Sequence, residues 1–143
     1  REEKIGAGPL WDYEVTAGVG SRTAYENLAT EGFQYESVAS RFDATADWFP
    51  VLLAEPAFRA ALVARWRELR LGLLSDANVR ARIADLTAGL GNAAARNFQK
   101  WSILSTERVG FFDTPTAPTW EGQVQVFETW LVARMAWLDS QWR

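Results

Sequence analysis

Two carboxylates, Asp12 and Glu14, stand one residue apart in the stretch GPLWDYEVTAGVG, Gly8 to Gly20. In a strand, residues i and i+2 face the same way, so both side chains could reach one ion. Their oxygens are hard donors suited to Mg2+, Mn2+ or Ca2+. Mg2+ in particular is commonly held by one or two carboxylates together with substrate phosphates. The glycines at 18 and 20 allow a second reading of the same residues, as an acidic turn. A D-x-E pattern alone does not separate the two.

Few other groups here do chemistry. The chain has no His and no Cys, which removes imidazole bases, thiol nucleophiles and disulfides and leaves the redox compartment unread. No G-x-S-x-G elbow is present, so a nucleophilic triad has no support. The GAG at Gly6 to Gly8 lacks the rest of a phosphate loop and no helix follows it, so it reads as a hairpin turn. A net charge of −3, from 15 basic and 18 acidic residues, excludes the basic field that a nucleic-acid partner requires. No apolar run reaches the 18 residues of a membrane span, so membrane insertion is not expected, and REEKIGAG lacks the apolar core of a signal peptide.

The elements that must position the acidic pair follow from apolar spacing. At 143 residues the chain is about one domain. Residues 1–46 are glycine-rich and then polar. They read as a strand and loop segment carrying W-D-Y-E, with short strands before residue 21 and at most a short helix after it. Residues 47–143 read as a helical bundle. Phe58, Leu62, Trp66, Leu69 and Leu73 mark one helix over 56–74, opened by Pro56. Val79, Ile83, Leu86, Leu90, Ala94, Phe98 and Trp101 mark a second over 76–101, capped by Ser75 or Asp76, in which Gly89 and Gly91 allow either a bend or a close helix contact. Val124, Phe127, Leu131, Met135 and Leu138 mark a third over 120–140, capped by Thr119 with Glu121 in its first turn. Facing stripes of this kind make a mainly α fold, three long helices plus short ones. Eight Trp and eight Phe supply large core knobs, and Trp66, Phe98, Trp101, Leu131 and Trp137 are expected to be buried. The competing use is a tryptophan-lined surface for glycans or peptides. Arg65, Arg70, Arg96 and Arg134 lie on or beside the stripes, where snorkelling or pairing with carboxylates across the bundle is expected.

The order of motifs resembles the C-terminal part of the CotH family of spore-coat kinases. The residues are GPLWDYE, then VLLAEPAFRAALVARWRELRLGLLS, then AARNFQKW, then FETWLVARMAWLDSQW. They match a pattern of the kind G-P-x-W-D-[FY]-D, P-x-F, R-W-x-x-L-R, R-N-x-x-x-W and W-[LI]-x-x-R-x-x-W-L-D over nearly the whole chain. The resemblance implies a C-lobe-like portion of an atypical protein kinase, often exported, which transfers phosphate from ATP to Ser or Thr of a protein substrate. It makes Asp12 the Mg2+ (or Mn2+) ligand beside ATP, analogous to the DFG aspartate of ordinary kinases. Glu14 is the second acid of that metal site and stands where the family more often has Asp. The Gly-rich loop, strand Lys and catalytic Asp of kinases belong before W-D-Y-E. This stretch of chain is therefore expected to be inactive alone, to hold no cofactor tightly, and to have the missing N-terminal lobe as its partner. A non-catalytic secreted helical module that binds proteins or glycans is the alternative.

Overall fold

The computed structural model describes residues 16–20, 29–33, 35–36, 48–109 and 112–142. Among them run α1 (Trp48–Ala54), α2 (Pro56–Leu71), α3 (Asp76–Ala88), α4 (Gly91–Lys100), β1 (Arg108–Val109), β2 (Phe112–Asp113) and α5 (Trp120–Gln141). The mainly helical reading is borne out. Asp12, Glu14 and most of the strand region expected before residue 21 lie outside the described residues, and in 16–20 the described chain pairs as strand only through an isolated bridge at Gly20.

Local chemistry accounts for the helix ends. Pro56 opens α2, where its missing N–H costs nothing, and the Glu55 carboxylate accepts from Ala57 N–H. The Ser75 hydroxyl accepts from Asn78 N–H and starts α3, and the Thr119 hydroxyl accepts from Gly122 N–H and starts α5. The apolar piece WFPVLLA forms α1, which tolerates Pro50 because it lies in the first turn.

Three expectations need correction. The helix expected over 76–101 is two helices, parted at Gly89 and Leu90. The helix expected to reach 74 ends at Leu71, because Gly72 takes the cap and donates to Leu69 O, and Leu73 beyond it is exposed. Trp101 is 57% exposed rather than buried. It is the C-cap of α4, with extended backbone at φ −121° and ψ 95°, so it leaves the helical rhythm that would have carried it inward. Lys100 Nζ lies 5.1 Å from its ring centroid.

The long α5 is the common support. It packs against α3 and α4, and Phe98 of α4 meets Trp120 with ring centroids 6.2 Å apart. Ile83, Ala94 and Met135, one from each of these helices, are buried. Arg80 of α3 pairs with Glu128 of α5. The antiparallel strands β1 and β2 pair Arg108 with Asp113 and Val109 with Phe112. No described helix is long and apolar enough to cross a membrane.

Candidate functional site

The described chain resumes at Thr16, two residues past Glu14, and is fixed almost at once. Gly20 forms an isolated antiparallel bridge to Asp113, with Gly20 N–H donating to Asp113 O at 2.8 Å and Asp113 N–H to Gly20 O at 2.8 Å. Gly18 has φ +78°, and a Cβ built there would lie 2.8 Å from the indole ring of Trp130. Glycine is needed twice over: for the left-handed backbone and for the close approach of the ring. The chain just past the acidic pair is thus held between β2 and α5.

A second clamp lies four residues further along α5. Arg134 Nη1 donates to Thr30 O at 3.0 Å and to Gly32 O at 2.7 Å, and its guanidinium carbon sits 4.6 Å over the Trp137 ring. The contact is a cation–π pair, of a kind that contributes about 0.5–2 kcal/mol depending on desolvation. Phe33 continues the cluster, edge-on to Trp137 at 4.8 Å and stacked with Trp142 at 6.0 Å. Tyr35 stacks on Phe33 at 5.3 Å and on Phe49 of α1 at 6.0 Å. Burial lowers the Arg134 pKa below the ordinary guanidinium value.

A third clamp joins the far end of α5 to α2. Asp139 accepts from Trp66 Nε1 at 2.8 Å and from Arg70 Nε at 3.0 Å. Arg70 Nη2 also lies 2.8 Å from Asp76 and 3.0 Å from Asp139, and Nη1 donates to Leu74 O. The Asp139 hydrogen bond raises the Arg70 pKa, opposed by burial and assisted by Asp76. Trp66 also meets Trp142 edge-on at 5.0 Å.

The motif residues therefore have physical roles that spacing alone did not disclose. Trp130, Arg134 and Trp137 follow at steps of four and three, so they share a face of α5, and that face holds residues 16–20 and 29–33 between the acidic pair and α1. Asp139, two residues on, turns to α2 and receives both Trp66 and Arg70 of R-W-x-x-L-R. Cross-bundle pairing of arginines is borne out for Arg70. Arg65 pairs locally with Glu68, and Arg134 binds carbonyls.

An apolar cleft of about 350 Å³ opens beside the first clamp, lined by Gly18, Val19, Ile83, Leu86, Trp120 and Trp130 among others. Gln123, also on its wall, is engaged within the chain, accepting from Ala117 N–H and donating to Pro115 O. Among the described residues no group of three or more acids or other metal-binding side chains comes together.

A mainly helical chain whose last helix anchors the segment following an acidic motif defines the class of scaffold. Residues 1–138 match the family model described as CotH kinase protein, and the chain belongs to that family. No curated protein and no solved structure matches it.

Proposed function

We propose that this chain is the C-terminal lobe portion of a CotH-like atypical protein kinase, whose complete form transfers phosphate from ATP to Ser or Thr of a protein. The observation that carries this reading is the double hold on the chain just after the acidic pair, Gly18 beneath Trp130 and Gly20 on Asp113. A metal-bearing motif contributes to phosphoryl transfer only if its scaffold fixes it, because positioning and electrostatics supply most of the catalysis.

Asp12 and Glu14 would hold Mg2+ or Mn2+, and two hard carboxylates fit such an ion by their donor chemistry. The ion would neutralise charge on the phosphate oxygens of ATP. Trp130, Arg134 and Trp137 orient the following segment, and the Asp139–Arg70–Trp66 cluster fixes α5 against α2. The remaining lobe of the same protein is the proposed partner, and an extracellular or cell-surface site follows from the family resemblance alone. Large side chains left in solvent, among them Trp48, Val51 and Leu71, are consistent with a surface that another part of the protein covers.

The exposure of Trp101 and Trp48 favours a second reading, a non-catalytic secreted module that binds proteins or glycans with tryptophan anchors. Calorimetric titration of ATP and Mg2+ separates the two. On the kinase reading the complete protein binds Mg-ATP and the 143-residue chain alone binds it only weakly. Absence of nucleotide binding by the complete protein would favour the module.

A further inference from the structure

Arg134 differs from the other paired arginines in what it faces. Arg70 meets Asp76 and Asp139, Arg80 meets Glu128, Arg82 meets Asp85, and Arg65 meets Glu68. Arg134 is half-buried, and its hydrogen bonds among the described residues go to the main-chain carbonyls of Thr30 and Gly32, both from Nη1. A guanidinium carries five N–H donors in a planar fork. Its Nε and Nη2 donors have no protein acceptor among the described residues, and no described carboxylate lies within ion-pairing reach. Two acids lie in or near the turn that it binds and form no described ion pair with it: Glu31 is exposed, and Glu36 accepts from Phe33 N–H at 3.5 Å. A half-buried cation held in place by two carbonyls and an aromatic ring, with no carboxylate partner among the described residues and part of its fork open, is prepared for an anion.

We propose that the Arg134 guanidinium, seated on Trp137 against the turn from Thr30 to Gly32, is a receptor for a phosphate monoester. The dianion matches the open donors of the fork and supplies a counter-charge that no described carboxylate provides. Two sources present this group: a separate phosphorylated molecule, or Thr30 itself once phosphorylated. Thr30 is half-buried while Glu31 beside it is exposed, and its carbonyl is already 3.0 Å from Arg134 Nη1. Filling the site would tighten the hold of α5 on residues 30–33 and link that segment to the phosphorylation state of the protein. The inference goes beyond the kinase reading and does not depend on it.

The test is a nitrogen-15 NMR titration of the chain with inorganic phosphate, following the Arg134 Nε–H and Trp137 indole signals, with chloride at equal ionic strength as control. Both signals should shift saturably with phosphate and not with chloride. Arg134→Lys, which keeps the charge and the ring contact, should weaken the response, and Arg134→Gln should abolish it, with circular dichroism verifying that each variant is folded. A chain assembled with phosphate on Thr30 distinguishes the sources. If its signals already stand at the phosphate-bound position and ignore added phosphate, the occupant is Thr30; if it responds like the unmodified chain, the occupant is a separate molecule. Signals unmoved by either form of phosphate, or moved equally by chloride, overturn the proposal.

Discussion

At the scale of single residues, the sharpest constraint is Gly18. A left-handed backbone costs a non-glycine residue about 1–2 kcal/mol, and here the added methyl would also meet the Trp130 ring at 2.8 Å. Gly18→Ala should therefore destabilise the chain by more than the backbone cost alone, measured by urea unfolding. Trp130→Ala should relieve part of that excess in the double variant, because it removes the clash and leaves the backbone strain. The Asp139 cluster makes a second prediction. Hydrogen bonds to charged groups contribute about 1.5–3 kcal/mol each when well shielded. Asp139 is 40% exposed, so Asp139→Asn should lose only about 1–2 kcal/mol after solvent screening. The Arg70 pKa is raised in the folded chain, so its share of stability is fully present below the unfolded guanidinium value and is lost only as pH rises through the folded one. From the arginine side the cluster should not weaken anywhere in the neutral range, which a stability profile against pH checks.

At the scale of elements, Trp66 and Trp101 give opposite expectations from similar sequence surroundings. Trp66 is half-buried, edge-on to Trp142 and bonded to Asp139, so Trp66→Ala should cost about 3 kcal/mol. Trp101→Ala should stay within about 0.5 kcal/mol, as exposed substitutions do. Equal losses would contradict the packing described here. At the start of α4, a Cβ on Gly91 meets nothing within 4 Å. Gly91→Ala should stabilise by about 0.4–1 kcal/mol through the unfolded chain. Much of this architecture was legible in the sequence. The stripe from Val124 to Leu138, the caps at Ser75 and Thr119 and the proline start of α2 follow from local rules, because each depends on neighbours within one turn. The glycines at 89 and 91 read as a bend or a close helix contact, not a break, since periodicity continues across them, and a Cβ at either meets nothing within 4 Å. Strands of two residues, such as Phe112–Asp113, are too short to show alternation. The partnerships of Trp130, Arg134 and Asp139 join residues far apart in the chain. The resemblance singled them out as motif positions, but pairing them required the fold.

At the scale of the whole molecule, the described residues bury little and expose much. Leu71 is 89% exposed and Leu73 73%, and the apolar cleft beside Gly18 has one of its few polar wall residues, Gln123, already engaged. Apolar surface of this kind favours burial at roughly 25 cal/mol per Å², which is the driving force the account assigns to packing against the rest of a kinase domain. In the assembly proposed, α5 would support the chain after the acidic motif, and the other lobe would contribute the phosphate-binding groups. The most direct test is phosphoryl transfer by the complete protein with and without Asp12→Ala, followed over Mg2+ concentration with circular dichroism as the control for folding. The account predicts that the substituted protein keeps its helical signal and loses Mg2+-dependent transfer from ATP, because a methyl group could not hold the ion that would neutralise the phosphate charge. Full transfer by the folded Asp12→Ala protein would contradict it.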